Sequence, residues 1–190
     1  MVALAVLLIL LAVATRTDVA RHEIYNWNTY SGMLAGLLLN AGGLGIFPAG
    51  MDGATESAIG FFACGLIMLT AFVFFDLGGG DVKLIAMTGA FLGLERGVEA
   101  LLWTFSIGFV CGVAIIIWQT GAWNLIRRSA AHALLLARTR SFVPLAAAER
   151  EPLKRGLFLA PSALAAAVIV AWPDLSGWIA TLPGGPSIVD

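Results

Sequence analysis

Asp76-Leu77-Gly78-Gly79-Gly80-Asp81-Val82-Lys83 decides how this chain is read, because it sets two acids and three glycines between two apolar runs. Residues 57–75 precede it and residues 84–94 follow it, both nearly free of charge. An ionisable residue beside a membrane span is costly, so it points to function by default. The alternative is a polar turn between two helices, and this stretch alone leaves both open. Glycine permits a tight turn or a close backbone approach. A helix starting after Gly80 would hold Asp81 near its positive end, where the dipole favours a carboxylate.

The rest of the chain explains why spans are expected at all. It has 190 residues, 59% hydrophobic and 12% charged, with a mean hydropathy of +0.91. A soluble domain carries roughly 25% charged residues, so the composition indicates a polytopic membrane protein. Crossing a ~30 Å hydrocarbon core takes about 20 apolar residues. Six spans are expected, at residues 2–15, 29–47, 57–75, 82–94, 98–118 and 156–172. The fold class is therefore an all-α bundle of about six transmembrane helices. The first and fourth spans are short and borrow flanking residues, which places Asp18 and Asp81 at or just inside the interface.

Basic residues orient the bundle. Arg16 and Arg21 fall in the first loop, Lys83 in the third, and Arg127, Arg128, Arg138, Arg140, Arg150, Lys154 and Arg155 in the fifth. Only Arg96 falls on the opposite side. The positive-inside rule then puts loops one, three and five in the cytoplasm and both termini outside. Tyr25, Trp27, Tyr30, Trp118, Trp123 and Trp172 suit interface anchors. Ala12-Val13-Ala14 resembles a signal-peptidase site, but no basic region precedes it, and the charge split needs the first span in place.

Other segments carry less. Small residues four apart at Gly32–Gly36, Gly89–Gly93 and Gly108–Gly112 suit close helix packing. Cys64 and Cys111 lie in apolar spans and read as small buried hydrophobes, and with no grouped ligands no metal site is expected. The segment 119–155 fits either a helix on the anionic inner leaflet or a basic linker. It lacks the interleaved aromatics that would suggest nucleic acid. The tail at 173–190 is expected to be flexible. His22 reads as a surface residue.

Two acids on one membrane face remain: Asp18 after the first span and Asp81 before the fourth. Taken alone, Asp18 reads more readily as an ordinary solvated loop acid. If the two meet, they cannot both ionise easily and share a proton. Such a pair can polarise a water for attack on a peptide carbonyl and protonate the leaving amine. The same acids would also serve a small proton-coupled transporter or channel as a relay. No repeat links the two halves, although many transporter folds contain one.

Gly78-Gly79-Gly80-Asp81-Val82-Lys83-Leu84 resembles the G-x-G-D motif, with its continuation, of the prepilin peptidases, membrane aspartyl proteases that process type IV prepilins and preflagellins. Asp18 matches that family's first aspartate, which follows a span and precedes an Ile-Pro-Asn triplet, here Ile24-Tyr25-Asn26. The resemblance covers roughly residues 10–94. It implies a single peptidase domain over 1–172 with Asp18 and Asp81 catalytic. Gly78, Gly79, Gly80, Lys83 and Asn26 would support the motif or the substrate, and no cofactor is implied. Gly79 and Gly80 would let a substrate backbone lie close, in the manner of an added strand. Lys83 is expected to snorkel to the inner leaflet, and Asp76 to be solvated rather than catalytic. The chain lacks the cysteine-bearing cytoplasmic insert of the long members. It is therefore similar to the short branch serving tight-adherence (Flp) pili, or to the archaeal enzymes. The implied partners are prepilins or pseudopilins and the lipid of the inner membrane, not nucleic acid.

Overall fold

A computed structural model of the chain describes residues 2–21, 23–75, 78–120 and 159–180. Its elements are helices: α1 (Val2–Arg21), α2 (Asn26–Ala41), α3 (Met51–Phe75), α4 (Gly79–Thr120) and α5 (Leu159–Ala180). Four of them, all but α2, are long and apolar enough to cross a membrane. The chain is thus an all-α, multi-pass membrane protein. The chain divides into two compact units, Met1–Phe105 with Phe158–Asp190, and Ser106–Leu157. The second is described over Ser106–Thr120, the end of α4, where Phe109, Val110 and Val113 are exposed. Asp76, His22 and the basic segment from residue 121 lie outside the described residues.

The count of four, against six expected spans, has a physical origin in α4. Gly93 breaks it with φ 75° and ψ −169°, a conformation essentially reserved for glycine. A Cβ built on Gly97 would lie 3.1 Å from the Gly89 Cα, whereas residues eight apart in a straight helix are about 12 Å apart. The chain therefore folds back at Gly93, so α4 counts once although the sequence shows two apolar runs in it. Helix α2, at 16 residues, spans only about 24 Å.

Breaking a helix orphans carbonyls just before the break, and two polar side chains on other helices meet them. Fully buried Asn40 donates from Nδ2 to the Ala90 and Phe91 carbonyls at 3.0 and 3.2 Å, and its Oδ1 accepts from the Ile46 N–H at 3.3 Å. Ser57 donates a second hydrogen bond to the Ala90 carbonyl. Small residues then bring the helices together. Asn28, Thr29, Gly32, Gly36 and Asn40 form the buried face of α2. A Cβ on Gly36 would lie 3.1 Å from the Ala90 backbone, and one on Gly60 of α3 would lie 2.6 Å from the Gly93 Cα. Outward, α3 shows Ile59, Phe62, Leu66, Leu69 and Val73, a stripe of large apolar residues suited to lipid. Cys64 is buried, but Cys111 is exposed, so only the first is a core hydrophobe.

Two helix ends differ from expectation. Helix α1 continues past Thr15 to Arg21, which places Asp18 within it rather than in the loop. The stripe Leu7, Leu11, Ala14 continues at helical spacing onto Asp18, so the added turn extends a face that is already buried. Helix α5 runs through Pro173 to Ala180, beyond the expected end at Trp172. An interior proline removes a hydrogen bond. Here Asp174 pairs with Arg96 beside the α4 fold, and Leu175 packs on the core, holding the segment in place.

Candidate active site

Three chain segments far apart in sequence meet at one end of the first unit. The carboxyl end of α1 brings Asp18, the amino end of α4 brings Asp81, and the amino end of α5 brings Leu159 and Ala160. Ala3 bonds Leu44 at the other end, where Arg96 and Asp174 also lie.

Asp81 lies in the first turn of α4. Gly78 precedes the helix, and its carbonyl accepts from the Asp81 N–H at 3.0 Å. The Asp81 carboxylate turns back to accept a hydrogen bond from the Gly78 backbone. An acid at the third helical position bonded to the residue before the helix is the acid's half of a capping box; Gly78 has no side chain to complete it. A Cβ at residue 78 would lie 3.0 Å from Asp81 Oδ2, so glycine leaves that return path open.

Asp18 reaches across to α5, where its Oδ2 accepts from the Ala160 N–H at 3.3 Å. That N–H is one of the donors a helix start leaves without an intrahelical partner. Both acids are half-buried, and the charge of Asp18 acts directly on Asp81. The two carboxylates thus stand within electrostatic reach of each other, each at a helix amino end that opposes their mutual repulsion.

The remaining motif residues frame the pair. Lys83 Nζ donates to Asn26 Oδ1 at 2.8 Å and stands 5.1 Å from the centre of the Tyr30 ring. It ties the start of α4 to the start of α2, where a free snorkelling chain was expected. Among the described residues no ion pair joins it to Asp81. A Cβ on Gly80 would lie 3.1 Å from the Ile24 Cβ, while one on Gly79 would meet nothing. Both glycines are in the first helical turn, so they offer unpaired N–H groups rather than a strand edge. Tyr25, where the motif has proline, caps α2 with φ −69° and ψ 131°, inside the range a proline ring would impose. Its hydroxyl accepts from Arg21 Nη1.

Sequence reasoning missed the amino end of α5. Its signal was Pro161, a residue suited to a first helical turn, but nothing in the chain tied it to Asp18. The model of the type IV leader peptidase family matches residues 5–116, which include Asp18 and the whole Gly78–Lys83 motif. No curated protein and no solved structure matches the chain.

Proposed function

The chain belongs to the type IV leader peptidase family, and we propose from this that it is an aspartic endopeptidase cleaving the leader of type IV, Flp-like prepilins, with Asp18 and Asp81 as its dyad. What supports the assignment is that α1 and α4 bring these two acids to the same end of the bundle, within electrostatic reach of each other.

With one proton between them, the ionised acid takes a proton from a water held by both. The oxygen attacks the scissile carbonyl carbon, and the protonated acid shares its hydrogen with the carbonyl oxygen. Collapse of the tetrahedral species breaks the C–N bond, and a proton passes to the leaving amine. The pair titrates as a unit. The first-turn N–H groups of Gly79 and Gly80 face an approach that no side chain of their own obstructs, and they supply donors for the developing oxyanion.

Topology supports the substrate class. This reading takes six passes, with α4, broken at Gly93, counted as two and α2 as a short one. The ends of α1 and α4 that carry Asp18 and Asp81 are then on the basic, cytoplasmic side of the inner membrane. A short basic leader joined through glycine to an apolar helix would present its junction at this depth. Asn26, Lys83 and Gly78 hold the rim of the site. Incubating the detergent-purified protein with a prepilin tests the proposal. A product shortened by the leader is expected, and an unchanged prepilin would overturn it.

A further inference from the structure

We infer that the amino end of α5, through the Ala160 N–H, positions Asp18, holding its carboxylate charged and aimed so that the shared proton rests on Asp81. The inference rests on the proposed dyad and adds to it a group outside the motif.

The two acids are held differently. Asp81 takes its hydrogen bond from Gly78, three residues away in its own turn. Asp18 takes its bond from a helix 142 residues further along the chain. That donor is locked in place, since Leu159, Ala160 and Ala163 are each 1% exposed or less and α1 packs directly on α5. An N–H donated to a carboxylate favours its charged form, and the positive end of α5 adds to this. Among the described residues the charged groups on the helices around Asp18 are Asp81 and Lys83 at the start of α4, and Arg16 and Arg21 on its own helix. Arg21 is engaged with the Tyr25 hydroxyl and Lys83 with Asn26. Helix α5 contributes no titratable residue between Leu159 and Trp172. What α5 offers the site is its backbone and the buried Ser162 hydroxyl. Pro161 follows in the first turn, where its missing N–H costs nothing, and the Ala160 N–H is a donor directed at the acid.

The test removes that N–H alone. An α-hydroxy acid at position 160 converts the amide to an ester with the alanine side chain kept. The same replacement at Ala163, one turn on, gives an equal backbone lesion away from Asp18. Cleavage of a synthetic peptide with a basic leader, a glycine and an apolar helix is followed from pH 4 to 8 in lipid nanodiscs. The 160 ester should move the acid limb of the kcat/KM profile to higher pH by about one unit, the scale of one hydrogen bond to a charged group. The 163 ester should leave that limb in place. An unmoved limb at 160, or an equal shift at 163, would overturn the inference. Ala160→Pro, which removes the same N–H with a natural residue, should reproduce the shift if the ester does not accumulate, and an unmoved limb there would equally refute it. Activity surviving in Asp18→Asn would instead refute the dyad itself, so the two failures are distinguishable.

Discussion

Removing Asn40 and Ser57 singly and together tests what holds the fold of α4 at Gly93. Asn40→Ala strips the Phe91 carbonyl and the Ile46 N–H of their partners, while the Ala90 carbonyl keeps Ser57. Two buried groups left unsatisfied at about 1–2 kcal/mol each give a loss of about 2–4 kcal/mol. Ser57→Ala leaves Ala90 bonded to Asn40, so about 1 kcal/mol is expected. In the double variant the Ala90 carbonyl has neither donor. Its desolvation then adds about 1–2 kcal/mol beyond the sum of the single effects. Equilibrium unfolding in mixed detergent micelles, read by tryptophan fluorescence for all four proteins, measures this coupling. Strict additivity, to within about 0.5 kcal/mol, would show that the two side chains do not share an acceptor and would refute the account of the break.

Other substitutions probe the rim of the site. Gly80→Val puts methyl groups against Ile24, whose Cβ is already 3.1 Å from the first added carbon; prepilin cleavage should vanish while the protein still accumulates in membranes. Lys83→Gln keeps a polar group near Asn26 and loses the contact with Tyr30. Cleavage should fall only about threefold, as a cation–π contact of about 0.5–1 kcal/mol implies. Tyr25→Pro should be tolerated, because position 25 already has φ −69°. The gain of up to about 1 kcal/mol from stiffening the unfolded chain offsets the lost hydroxyl contact, and a melting curve checks it. Asp76→Asn should keep most cleavage activity, and a loss as deep as that of Asp81→Asn would show Asp76 to be the working acid.

Charge and hydropathy made much of this legible. A membrane bundle follows from composition, and Glu95, Arg96 and Gly97 interrupt an apolar run just past the break, which itself falls at Gly93, inside the expected fourth span. Asp18 and Asp81 stood out because acids beside spans are costly. What was hidden is what depends on contacts between distant segments. The end of α1 was drawn too early because Arg16 and Asp18 look like loop residues until α5 supplies Ala160 for Asp18 to bond. Lys83 looked like a snorkelling chain because its partners, Asn26 and Tyr30, belong to another helix. Asn40 was readable in principle: an amide at the end of an apolar run must find donors and acceptors. Only the fold of α4 shows that they are Ala90, Phe91 and Ile46.

Asp18→Asn and Asp81→Asn, each purified and compared with the unaltered protein on one prepilin, test the central claim most directly. Amides keep the shape of the acids but can neither take the proton of water nor share one. Both variants should retain the unfolding transition of the parent and lose cleavage by at least about a hundredfold, the lower range of general acid–base contributions. A well-folded variant of either position that still shortens the prepilin at close to the parent rate would contradict the dyad.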